Sequence, residues 1–160
     1  MQEISAEPMT AESFSPFGRV LVPGEQMITF RNDQVSHYNE LGNLEEVGPE
    51  PVVSFFSAVR REFIIDKLER HLETCELFFP VHGVGLMPFA PSLPDGEPDR
   101  DSMRVFICLP GRPFIGGRGV WHLYPFPIED RYEAYNIVMR ELIDRDLEVR
   151  TLAEPVRVVL

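Results

Sequence analysis

The sequence predicts an all-β protein, a β-barrel or jelly roll carrying one or two short helices. Three observations lead there. The 160 residues hold fifteen prolines and eleven glycines beside an apolar fraction of 44%, a density of turn formers that suits many short strands rather than a helical bundle. The apolar residues gather in short runs rich in β-branched and aromatic side chains, which fit a pleated, half-buried surface. About ten such runs follow one another, and an all-β chain of this kind controls its exposed edges by closure. The length suits one domain spanning residues 1–160, large enough to bury roughly 68–70% of its unfolded surface.

Residues 1–9 read as a loose acidic lead. Thr10-Ala11-Glu12-Ser13-Phe14 reads as a short helical turn with Thr10 as its N-cap. Arg19–Val22 begins the first strand, Pro23-Gly24 is a turn signal, and Met27–Phe30 is a second short strand. Arg31–Glu50 is polar and irregular, a segment suited to a pocket mouth or a subunit contact, and its His37 reads as a surface residue. Val52–Ser57 is a strand by composition, Arg60-Arg61 turns the chain, and Phe63–Leu68 follows. Leu77–Val81 and Val84–Ala90 read as a hairpin-like pair about His82-Gly83, and Pro91–Asp101 as a surface loop. Met103–Leu109, Val120–Tyr124, Tyr135–Leu142 and Val156–Leu160 supply the remaining strands. Ile143–Arg150 has a charged, helix-like character.

Composition removes several classes of function. A net charge of −11 with no Lys/Arg cluster to offset it repels phosphate backbones, so nucleic acid is not an expected partner. No apolar run approaches the ~18 residues of a membrane span. The N-terminus lacks the basic start and apolar centre of a signal peptide, which makes a cytoplasmic location the default expectation. Two cysteines, Cys75 and Cys108, make neither a disulfide framework nor a zinc ribbon. Alternation from Glu76 turns Cys75 away from the chemistry described next.

That chemistry centres on Glu69–Gly83. Glu69 and His71 are two apart and share one face of a strand, and Glu76 follows five residues later. An imidazole and two carboxylates on one face suit a borderline divalent cation such as Ni, Zn, Mn or Fe. The spacing Glu69-x-His71-x4-Glu76-x6-Gly83 resembles the first motif of the cupin superfamily, with Glu69 in place of its first histidine. Gly111-x5-Gly117-x-Gly119-x2-His122 resembles the second motif and adds His122 to the set. Arg60, Arg61, Lys67 and Arg70 are the densest positive region. Such residues either solvate strand ends or, as Arg61 and Arg70 are expected to do here, grip a substrate carboxylate with a bidentate fork.

A narrower resemblance rests on Phe14–Val20, Leu68-Glu69-Arg70-His71, Phe78-Phe79-Pro80 and Gly119-Val120-Trp121-His122, which occur in that order. Together they resemble the ureidoglycolate lyase (ureidoglycolate hydrolase) family of allantoin degradation and purine catabolism. Glu76 stands where members commonly carry Gln, Leu123 follows Trp-His where a second polar residue is often seen, and Phe55 replaces an Arg or leaves its place to Arg60 or Arg61. The resemblance implies a cupin-like β-barrel, commonly a homodimer, acting on a small polar carboxylate and releasing glyoxylate and urea from ureidoglycolate. In that reading His71, Glu76 and His122 hold a metal, with Glu69 as a fourth ligand or as the base, and these four residues are catalytic. Two other readings fit the same residues: another metal-dependent cupin enzyme acting on a small polar acid, and a non-catalytic ligand-binding module of the same fold.

Overall fold

The computed structural model describes all residues 1–160. Strands dominate, as expected: β1 (Gln2–Pro8), β2 (Gly18–Val20), β3 (Ile28–Arg31), β4 (Ser36–Tyr38), β5 (Pro51–Val59), β6 (Ile64–Arg70), β7 (Glu76–His82) and β8 (Gly85–Ala90) fill the first half. β9 (Arg104–Cys108), β10 (Phe114–Gly116), β11 (Trp121–His122), β12 (Phe126–Pro127), β13 (Arg131–Met139) and β14 (Glu148–Val159) follow. Two short α-helices accompany them, α1 (Ala11–Phe14) and α2 (Leu142–Arg145). Thr10 caps α1 in a reciprocal box with Ser13, so its isolated turn satisfies amides that would otherwise be orphaned.

The larger sheet runs β11-β6-β14-β1-β9-β8-β12, and β11 also pairs with β8. That extra pairing closes six strands into a ring. His122 is the joint, opposite Glu69 of β6 on one side and Phe89 of β8 on the other. The ring encloses an apolar interior that includes Ile65, Leu68, Leu86, Val105, Trp121 and Val156. A five-stranded sheet, β2-β10-β7-β13-β5, lies against the outside of the ring. Between the two layers pack Phe14, Phe17, Phe78, Met87, Phe89, Phe106, Phe114 and Tyr132. Adjacent residues on one strand therefore serve different cores: Leu86 faces into the ring and Met87 faces the second sheet. Phe14 lies edge-on to Phe89, Phe106 and Phe114, an arrangement that aromatic quadrupoles favour.

Two expectations are corrected here. Residues 1–9 are not a loose lead, because β1 is built into the ring, parallel to β14 through Gln2–Ser5 and to β9 through Ala6–Pro8. Ile4 and Ala6 alternate onto the ring interior while Glu3 and Ser5 face out. The second correction concerns β7 and β8, which do not form a hairpin. β7 belongs to the five-stranded sheet and β8 to the ring, so the chain changes layer at Gly83. Gly83 has φ 72°, and a Cβ there would lie 2.1 Å from the Arg131 carbonyl oxygen. Only glycine permits that backbone approach.

The irregular 31–50 segment contains β4, which pairs with β3 in a separate two-stranded ribbon, and a 3-10 turn at Leu44–Val47. No helix is long and apolar enough to cross a membrane.

Candidate active site

The site forms where the ring and the five-stranded sheet meet. Glu69 is the penultimate residue of β6, His122 ends β11, His71 lies just beyond β6, and Glu76 opens β7. The direct pairing of Glu69 with His122 places both on one edge of the ring wall, facing the second sheet. Glu76 reaches them from that second sheet. All four line one cavity with Phe78, Met87, Tyr124, Leu142, Ile143 and Leu147. A second chamber of about 360 Å³ adjoins it, sharing Glu76, Tyr124, Leu142 and Ile143, and its wall adds Ser54 and Asn136. No lysine or arginine lines either space.

Donor atoms from Glu69, His71 and His122 lie within 4.8 Å of one another. The His71 and His122 ring centroids are 5.3 Å apart. Glu76 Oε2 is 2.9 Å from His122 Nε2 and 3.6 Å from His71 Nε2, while Glu69 Oε1 is 3.9 Å from His122 Nε2. Each imidazole is fixed through its other nitrogen. His122 Nδ1 donates to the Val120 carbonyl at 3.0 Å, and His71 Nδ1 donates to the Asp146 carbonyl. A carbonyl only accepts, so both Nδ1 atoms carry the proton and both Nε2 lone pairs are available in the neutral rings. His122 Nε2 is buried and, despite its short distance to Glu76, has no well-aligned hydrogen bond. Anchored Nδ1–H groups with free Nε2 atoms beside carboxylates are what a divalent metal site requires, and these residues fit one.

Burial and charge set the protonation of the site in the absence of a cation. Burial raises the Glu69 carboxyl above its ordinary range, with Glu76 adding to the rise and the two histidines opposing it. Burial works against ionisation of Glu76 too, but His122, His71 and Asn136 together outweigh it and hold that carboxyl below its ordinary range. For His122, burial disfavours the cation, yet Glu76 and Glu69 raise its pKa overall. Burial and the two carboxylates push the Tyr124 phenol up to about 12. In the metal-free protein the two groups are therefore biased towards opposite charge, Glu76 towards its ionised form and His122 towards its protonated one.

A pH prediction follows from those directions. Glu76 is more acidic folded than its reference of 4.5, so its contribution is present above that value and is lost as pH falls through the folded pKa. His122 is more basic folded than its reference of 6.5, so its contribution is full below 6.5 and is lost as pH rises through the folded pKa. Glu69, raised from the same reference of 4.5, contributes fully below that value and loses its contribution as pH rises through its folded pKa. Thermal unfolding in the presence of chelator is expected to show greatest stability between about pH 4.5 and 6.5, with Glu69 drawing the maximum towards the acidic end. A midpoint that rises steadily to pH 8 would contradict the assignment.

The four residues expected to be catalytic are thus brought together, but the two expected to bind substrate are not. Arg70 follows Glu69 directly, and strand alternation turns it to the opposite face. There it donates to Glu148 through Nε and Nη2, at 3.0 and 2.8 Å, and to Ser92 through Nη1 at 2.8 Å, with its guanidinium over the Trp121 ring. Arg61 donates to the carbonyls of Pro125 and Tyr124 at 2.9 and 2.8 Å and stacks over Phe126. Both guanidiniums are consumed in holding the fold.

Three residues join the site that sequence reasoning did not select. Tyr124 lies two beyond His122, a spacing that signals a shared face. Asn136 is buried on β13 and donates to Glu76 Oε1 at 3.5 Å. Asp146, also buried, accepts from the backbone N–H groups of Leu72 and Glu73 at 2.7 Å each and of Thr74 at 3.1 Å. Neither Asn136 nor Asp146 carries a local pattern that marks it.

The sequence model of the family described as ureidoglycolate lyase matches residues 1–159. Among curated proteins, the chain is 31% identical over 138 residues to a protein named ureidoglycolate lyase from Stutzerimonas stutzeri, covering 83% of this chain and 81% of that one. It is 32% identical to the protein of that name from Pseudomonas aeruginosa, covering 82% and 80% of the two chains. It is 31% identical to another from Rhodobacter capsulatus, covering 82% and 84%. Among solved structures, RmlC from Streptococcus suis in complex with dTDP-D-xylose superposes with a TM-score of 0.40 at 10% identity, covering 81% of this chain and 77% of that one.

Proposed function

Since the chain belongs to the ureidoglycolate lyase family, we propose that it cleaves the C–N bond of ureidoglycolate, releasing glyoxylate and urea. The observation that carries this reading is the convergence of Glu69, His71, Glu76 and His122 on one cavity, with both histidine Nε2 atoms aimed at the carboxylates.

The reaction is the collapse of a carbinolamide. The hydroxyl loses its proton, the C–O bond becomes a carbonyl, and the electron pair of the C–N bond leaves with the urea nitrogen, which takes up a proton. One proton is lost by oxygen and one gained by nitrogen, so a single group can carry it between them. Glu69 is suited to that task, because burial brings its carboxyl closer to neutrality than an exposed glutamate. Its Oε1 faces His122, which leaves Oε2 for the proton. Tyr124 keeps its phenolic proton through the ordinary pH range and serves as a hydrogen-bond donor at the chamber wall. Leu142, Ile143 and Leu147 give the cavity an apolar roof that limits competing water.

A divalent metal held by His71, His122 and Glu76, with Glu69 beside them as the proton carrier, would supply Lewis-acid polarisation of the substrate's hydroxyl and carboxylate oxygens. The charge balance of the site supports that cofactor. A substrate carboxylate entering past Glu69, Glu76, Glu141 and Asp144, with no arginine or lysine in the lining, meets repulsion that a bound cation would offset.

The test is to incubate the purified protein with ureidoglycolate and follow glyoxylate release, with and without a chelator and after restoring single metals. Release that stops with chelator and returns with one metal is the expected result. Release untouched by chelator would leave the proton-transfer residues as the whole machinery. No release under any metal would remove ureidoglycolate as the substrate.

A further inference from the structure

The segment that follows β13 does more than close the sheet. Within eight residues it supplies two roof residues of the cavity, Leu142 and Ile143, a wall residue, Leu147, and the Glu148 carboxylate that holds Arg70. Between them lies Asp146, at the C-terminal end of α2, which meets the His71 segment twice. Its carbonyl accepts the His71 Nδ1–H, and its carboxylate spans the next three amides, with Oδ1 on Leu72 and Oδ2 on Glu73 and Thr74. From the other side, the His71 carbonyl is held by the Gly119 N–H at 2.6 Å, in the turn that leads to His122.

We propose that Asp146 is a positioning residue for the reaction: its carboxylate pins the backbone after His71 so that its own carbonyl fixes the tautomer and aim of that imidazole. The inference rests on the reading of His71 as a metal ligand and deepens it. Without the side-chain clamp, three consecutive amides, that of Thr74 buried and those of Leu72 and Glu73 half-buried, lose their acceptor and the turn relaxes. The carbonyl of residue 146 then no longer faces Nδ1, and the imidazole is free to take its Nε2–H form, which offers no lone pair to the cavity. Asp146 does not touch the cavity contents, so its effect must pass through His71.

Asp146→Asn keeps the size of the side chain but sets an NH2 group against a backbone N–H. It is expected to weaken Zn²⁺ or Ni²⁺ binding, measured calorimetrically on the full chain, by ~10–100-fold, the usual cost of losing an outer-shell partner. It is also expected to replace a single Nδ1–H tautomer of His71 with a mixture in the long-range ¹H–¹⁵N imidazole spectrum of the metal-free protein. Arg104→Met is the control for general destabilisation. It breaks a charge pair with Glu7 and a bond to the Ser13 carbonyl, lines neither cavity and touches neither Asp146 nor His71, and should leave both readouts unchanged. Asp146→Asn with unaltered metal affinity and tautomer overturns the proposal, as does an equal loss in Arg104→Met. The unsubstituted protein is itself a test: His71 found as the Nε2–H form at pH 8 overturns the proposal even if Asp146→Asn does not fold. None of these readouts depends on which substrate is cleaved, so failure of the lyase assay would not be mistaken for failure of this inference.

Discussion

Replacing His122 with alanine is expected to lower glyoxylate release by about 10³-fold or more, consistent with the loss of a general acid–base or ligand group. His122 is the joint at which β6, β11 and β8 meet, but its contribution to that joint is made by its backbone, which alanine retains. The side chain faces the cavity. What alanine removes is the Nε2 atom nearest Glu76 and Glu69. Glu76 then loses the largest influence holding its carboxyl ionised and will take up a proton instead of unfolding the protein. The expected outcome is therefore a folded, inactive protein that binds metal weakly. Activity, thermal midpoint and metal content should be measured together on His122→Ala and His71→Ala. Retained turnover in both variants would remove the imidazoles from the mechanism, whatever the family relationship.

The set Glu69, His71, Glu76 and His122 that lines the cavity was legible in the sequence because its parts are local. Glu69 and His71 share a strand face by period, Glu76 follows at a short interval, and a second glycine-punctuated segment supplies His122. The all-β architecture was equally plain from short β-branched and aromatic runs between turns. What failed did so for identifiable reasons. β1 was hidden because only Ile4 and Ala6 of an acidic stretch face the interior, too few to produce a visible alternation. Arg70 was assigned to substrate although the same alternation that places Glu69 in the site must turn its neighbour away. The guanidinium is buried under Trp121 and committed to Glu148 and Ser92. The switch of layer at Gly83 looked like a hairpin because a glycine between two apolar runs fits both, and only the pairing partners of each run decide.

Other parts of the site were beyond the reach of sequence because they are assembled across long separations. The His71–Asp146 contact joins residues 75 apart, and Asn136 reaches Glu76 across 60. No period or motif couples such positions in a single chain. Their polar groups become interpretable only when burial makes each one demand a partner. Asp146 answers that demand with four contacts to one segment. Such convergence distinguishes it from the many acidic residues of a chain whose net charge is −11.

Trp121→Ala should produce the largest loss of stability, about 4 kcal/mol by the range for deleting a buried aromatic side chain. Trp121 is fully buried in the ring interior, directly beside His122 in sequence and on the opposite face of β11. Its indole Nε1 donates to the Gly96 carbonyl at 3.2 Å, and the Arg70 and Arg150 guanidiniums lie over its ring at 4.6 and 5.7 Å. Removing the indole opens a cavity, orphans the Gly96 carbonyl and strips Arg70 of the surface on which it stacks. For a domain of this size, a loss of that order corresponds to a fall of roughly 8–16 °C in the thermal midpoint. Trp121→Phe, which keeps most of the volume but not the N–H, should cost much less. The comparison separates packing from the hydrogen bond and tests the layered reading of β11, in which one residue builds the ring and the next builds the site. Urea unfolding of the two variants decides it. A loss below about 1 kcal/mol for the alanine variant would show that the ring interior repacks freely and does not hold His122 in place.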